Sequence, residues 1–91
     1  MINTFHRGNV TLTVDDPIGA DNVTFTITRT AELTDDDVRR VNAELADYPA
    51  AQGARLVQSR SSGEWEVRSG VTVLATGSAS PTAQLQWTAR R

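Results

Sequence analysis

The sequence predicts an α+β fold: an antiparallel β-sheet, or two short ones, in the order β-β-β-α-β-β-β, with one amphipathic helix packed on the sheet. Three observations predict it. Residues 10–14 (Val-Thr-Leu-Thr-Val) and 23–27 (Val-Thr-Phe-Thr-Ile) alternate apolar and β-branched polar side chains with period two, the pattern of a half-buried strand. Residues 34–48 carry a helix start followed by an apolar stripe of helical period. Residues 55–91 return to short alternating runs separated by Gly- and Ser-containing turns. Strands grouped on either side of one helix, rather than alternating with several, favour antiparallel pairing. Ninety-one residues suffice for one core, so the chain reads as a single small domain, 1–91.

The first strand is read at Ile2–Arg7, joined to the second through Gly8-Asn9. A two-residue Gly-Asn loop suits a type II′ hairpin, because glycine accepts the positive φ of its first position. That register sets Phe5 opposite Leu12 and Asn3 opposite Val14; a three-residue loop would pair Ile2 with Val14 and turn Phe5 to the other face. The six-residue pattern Asn-Val-Thr-apolar-Thr-apolar occurs at Asn9 and again at Asn22. Two copies mark two similar strands rather than a repeat architecture. Between them, residues 15–22 hold the densest turn chemistry in the chain.

The helix is announced by Thr34-Asp35-Asp36-Asp37, an N-cap hydroxyl with a carboxylate three residues on. The three aspartates also meet the positive end of the helix dipole. Leu33 and Val38 stand at the positions of a hydrophobic staple, and Val38, Val41, Leu45 and Tyr48 form one apolar stripe. Arg39, Arg40, Asn42, Glu44 and Asp47 fill the rest. Pro49 disfavours helical geometry at Tyr48, and Gly53 closes the turn.

After the helix, Arg55–Arg60 and Glu64–Arg68 flank Ser61-Ser62-Gly63. A three-residue loop there pairs Arg60 with Glu64, Gln58 with Glu66 and Val57 with Val67. Trp65, Val67, Val71, Val73 and Ala75 share a face if the next turn is a three-residue loop at Arg68-Ser69-Gly70, or if one long strand bends at Gly70. Gly77-Ser78-Ala79-Ser80-Pro81 reads as a loop. Leu85, Trp87 and Ala89 then alternate with Gln84, Gln86 and Thr88 in a last strand. Trp65 and Trp87 are expected to anchor the core.

Composition narrows the function. With no cysteine, disulfides, thiolate metal sites and cysteine nucleophiles are excluded. No apolar run reaches the ~18–20 residues of a membrane helix, and Met1–Arg7 lacks a basic start and an apolar core, so neither a span nor a secretory signal is expected. A soluble chain, with no membrane partner, follows as the expectation. Net charge is −2, and all nine basic residues are arginine. Arginine without lysine has two readings. The guanidinium's planar fork suits phosphate, carboxylate and aromatic contacts. The other reading, which the abundant alanine, threonine and aspartate favour, is codon bias in a GC-rich genome, with an actinobacterium or one of its phages a natural source. The expected location is then a bacterial cytoplasm or a phage particle.

Catalytic groupings are sparse. His6 is the sole histidine, and Ser61 and Ser62 sit in a turn that needs small residues anyway. Asp15, Asp16, Asp21 and Asn22 crowd one loop without the spacing of a calcium loop. Asp35–Asp37 are explained by helix capping. The sequence therefore predicts no enzyme, no metal, no cofactor and no small-molecule ligand. Two kinds of partner remain. The leading expectation is a protein partner or self-assembly, through an uncharged outer face of Thr11, Thr13, Thr24, Thr26 and Thr28, interrupted only by Arg29, with Leu74 as an exposed apolar contact. The alternative is nucleic acid, contacted by Arg55, Arg60, Arg68, Arg90 and Arg91. The 41 residues from position 51 on carry these five arginines against Glu64 and Glu66, a net +3.

Overall fold

The computed structural model describes residues 1–77 and 84–91. In chain order they form β1 (Ile2–Arg7), β2 (Val10–Asp15), β3 (Asn22–Arg29), α1 (Asp35–Leu45), a single 3-10 turn (Pro49–Ala51), β4 (Ala54–Gln58), β5 (Trp65–Ser69), β6 (Thr72–Thr76) and β7 (Gln84–Arg90). These seven strands make two antiparallel sheets, β1-β2-β3-β7 and β4-β5-β6, with the helix between β3 and β4. The loop read at 77–81 lies, beyond Gly77, outside the described residues.

The first hairpin has the two-residue turn, with Phe5 opposite Leu12 and Asn3 opposite Val14. Gly8 sits at φ +56° while Asn9 keeps a negative φ, the combination of a type II′ turn. Alternation sends Val10, Leu12 and Val14 of β2 inward, with Val23, Phe25 and Ile27 of β3 beside them. From β7, Leu85 and Trp87 complete this wall. Phe25 and Trp87 are direct cross-strand partners, and their rings stack at 5.2 Å between centroids. Arg29 departs from the sequence reading: its odd position places it on the core side, 3% exposed, rather than on the threonine face, with Glu32 3.9 Å away.

The capping box at α1 is complete. The Asp37 N–H donates to Thr34 Oγ1, and the Thr34 N–H donates to Asp37 Oδ2, both at 3.1 Å. Val41 and Leu45 are buried, while Leu33 and Val38 pack half-buried against the core. The helix stops at Leu45, earlier than the stripe suggested, and Tyr48 is extended at φ −103°, ψ 117°. The ring of Pro49 enforces that geometry and then opens the 3-10 turn. Tyr48 nevertheless meets the core by setting its ring edge-on to Phe25 at 6.0 Å.

The second sheet corrects two registers. β4 and β5 pair with Leu56 opposite Val67 and Val57 opposite Glu66, one residue from the expected alignment; Arg60 and Glu64 are not strand partners. The controlling fact is burial: Leu56 and Val67 are 1% and 0% exposed, so they must share a face, and the connection lengthens to residues 59–64. Its ends are tied by Ser59 N–H to the Glu64 carbonyl at 2.8 Å and Gly63 N–H to the Ser59 carbonyl at 2.9 Å. Between β5 and β6 the turn is Gly70-Val71, with Gly70 at φ +61°. Arg68 then faces Val73, whereas Val67 faces Ala75, so Leu74 is an extra residue at a bulge. The bulge breaks the odd-numbered apolar face. Ala75 packs on the core, but Val71 and Val73 are exposed, at 93% and 42%.

Candidate functional site

The register of the first sheet builds its outer face row by row. Thr4, Thr13, Thr26 and Gln86 lie side by side across β1, β2, β3 and β7. His6, Thr11, Thr28 and Gln84 form the row on one side, and Ile2, Asp15, Thr24 and Thr88 the row on the other. The structure thus brings all five predicted threonines together and extends them with Thr4, Thr88 and two glutamines that sequence reading did not single out. Their signal was present: Gln84, Gln86 and Thr88 alternate with buried Leu85 and Trp87. Hydrogen bonds within the rows join His6 Nδ1 to Thr11 Oγ1 at 2.7 Å, and carry Gln86 Nε2 to Thr26 Oγ1 at 3.3 Å. The middle row holds no ionisable group, and the helix and second sheet pack on the opposite side of this sheet.

Leu74 does not belong to this face. It stands at the bulge of β6 in the other sheet, 36% exposed, near exposed Val73. The five arginines are likewise dispersed. Arg55 and Arg68 oppose each other across β4 and β5, and Arg68 Nε donates to Glu66 Oε2 at 2.9 Å. Arg60 lies in the 59–64 connection, whereas Arg90 and Arg91 end the first sheet. Arg91 is committed to the β2–β3 loop: it forms an ion pair with Asp16, and Nη2 donates to the Pro17 carbonyl at 2.8 Å. Trp65 and Trp87 are each 6% exposed, so neither offers a ring face for a base to stack on.

The residues weighed for catalysis have structural partners. His6 pairs with Thr11 on the open face. The Ser61 hydroxyl shares a hydrogen bond with Ser59, and Ser62 Oγ accepts the Glu64 N–H at 3.2 Å, so both organise their turn. Among the described residues, no three His, Asp or Glu side chains converge as metal ligands would. A cleft of about 430 Å³ opens at one end of the core, between Phe25 and the Tyr48-Pro49-Ala50 segment. Burial pushes the Tyr48 phenol above its ordinary range, and the nearby Glu44 and Asp47 charges add to the shift.

Comparison with known proteins gives no match for this chain, whether against family models, curated proteins or solved structures.

Proposed function

We propose that this chain is a small non-enzymatic interaction or assembly module, binding a protein partner or further copies of itself through the outer face of its four-stranded sheet. The observation that carries this reading is the continuous threonine- and glutamine-lined face, which nothing among the described elements covers. Threonine also makes good strands without binding anything, and that alone would explain alternate threonines on β2 and β3. It does not explain why the centre of the face is kept free of charge when 22% of the residues are charged. Desolvating a charge on binding is costly, whereas hydroxyls and amides exchange water for partner groups at little net cost. Loss of charged residues at the centre with polar groups around it is the composition of an interface core.

The lysine-free, arginine-rich composition supports an origin in a GC-rich bacterium or one of its phages. On that footing the module serves as a virion-associated subunit or as an accessory protein that binds a host factor, in the bacterial cytoplasm or the particle. The test is affinity capture from a GC-rich bacterial lysate, with and without nuclease, read by mass spectrometry. A protein retained in stoichiometric amount after nuclease treatment is the expected result. Loss of all captured material on nuclease treatment would overturn it in favour of a nucleic-acid surface.

A further inference from the structure

Two sheets present four edges, and three of them are occupied or interrupted. Along β4, the Asn42 side chain engages both backbone groups of Leu56. The terminal strands β6 and β7 run beside one another without pairing, and β6 carries the Leu74 bulge as well. The remaining edge is β1, along whose outer side none of the described strands pairs.

The hairpin dictates which of its backbone groups are free. A two-residue turn makes its flanking pair, Arg7 and Val10, exchange both hydrogen bonds, so the odd residues of β1 bond to β2. Beyond the strand the same alternation holds, since the Met1 carbonyl accepts the Asp16 N–H at 2.8 Å. The N–H and C=O groups of Ile2, Thr4 and His6 therefore point outward. Natural edges are commonly blunted by lysine, proline, a bulge or a covering segment. From Ile2 to His6 β1 has no lysine, no proline and no bulge, and its exposed edge is met by a strand better than by any other shape.

We infer that the β1 edge receives an extended segment of a partner protein, with an apolar residue opposite Phe5 and an acidic residue opposite Arg7. This rests on the protein-binding reading above and names the partner's chemistry. Phe5 is only half-buried against the core, and the Arg7 guanidinium lies 5.7 Å from its ring centroid on the same side of the strand. An incoming apolar side chain would complete the burial of Phe5, and a carboxylate two residues away would meet Arg7. The ionisable side chains of β1 are His6 and Arg7. β1 carries no carboxylate, so a second copy laid on this edge would leave Arg7 without an acidic partner.

The direct test adds two peptides, Thr-Glu-Thr-Val-Thr-Val and its analogue with lysine for glutamate, to the isotopically labelled chain. The glutamate peptide should shift the Ile2, Thr4 and His6 amide signals saturably and protect them from exchange. Its affinity should exceed that of the lysine peptide by about tenfold. Thr4→Pro, which replaces an outward N–H without touching the β2 ladder, should abolish the effect. Arg7→Glu should reverse the peptide preference. Equal binding of the two peptides, shifts confined to β3 and β7, or a concentration-dependent dimer that Thr4→Pro abolishes would each overturn the inference. Lysate capture separates the two claims. A stoichiometric protein retained equally by Thr4→Pro removes the edge and leaves the interaction module standing, whereas no retained protein together with a strict monomer at high concentration removes the module itself.

Discussion

Asn42 holds the edge of the second sheet by both backbone groups of Leu56: its Oδ1 accepts the Leu56 N–H at 2.7 Å, and its Nδ2 donates to the Leu56 carbonyl at 3.1 Å. One helical side chain thus imitates a neighbouring strand, and the half-buried Asn42 fixes α1 to β4 at the buried Leu56. Asn42→Ala leaves a donor and an acceptor unsatisfied, at a cost of about 1–3 kcal/mol. Urea unfolding should show a lower midpoint with an unchanged slope. Because the β4 edge is uncovered as well, the variant should also scatter more light on warming than a surface control such as Gln52→Ala.

Gly8 couples the first hairpin to the helix cap. Its φ of +56° disfavours any side chain, and a Cβ there would stand 2.5 Å from Asp37 Oδ1, the carboxylate whose other oxygen completes the capping box. Gly8→Ala is therefore expected to destabilise by more than the ~1 kcal/mol of a simple left-handed strain. In an Asp37→Ala background the collision is gone, so the second substitution should cost less than it does alone. Thermal denaturation of the single and double variants measures that coupling. Strictly additive losses would contradict the contact.

Tyr48 is the chain's one tyrosine, so phenolate absorbance reads it without ambiguity. Burial, reinforced by Glu44 and Asp47, raises its pKa above the ordinary 10.0. Once the pH passes the unfolded value, an unfolded chain gives up a proton that the native state keeps. Its contribution to stability is thus whole below about pH 10 and is lost as pH rises through the folded value. Titration of the native chain should show a midpoint above 10.0, and Tyr48→Phe should flatten the alkaline fall in stability.

The order of elements was legible because its signals are local. Period-two alternation in residues 10–14 and 23–27, and the Thr34 cap with its stripe over residues 34–48, each lie within fifteen consecutive residues or fewer. The threonine face was legible for the same reason. The second sheet was harder, because Leu56 and Val57 are adjacent apolar residues and offer either face of β4 to the core; packing chose Leu56. A bulge is equally silent, since one extra residue at Leu74 reverses the parity of Val73 without altering composition. Asn42 looked like solvated filler beside Val41, and the clasp of Arg91 on the Asp16–Pro17 loop spans 75 residues of chain. Neither leaves a trace in local spacing.

Protein binding by the outer face of the first sheet is decided by comparing two paired variants in the same capture experiment. Thr13→Arg with Thr26→Glu places a mutually compensating charge pair on direct cross-strand neighbours at the centre of the face, which the fold should tolerate. Arg90→Gln with Arg91→Gln removes the terminal cations instead. The first pair should lose the nuclease-resistant partner with its melting temperature nearly unchanged, and the second pair should retain it. Retention by the threonine variant, with loss by the arginine variant, would take binding away from this face and assign it to the arginines.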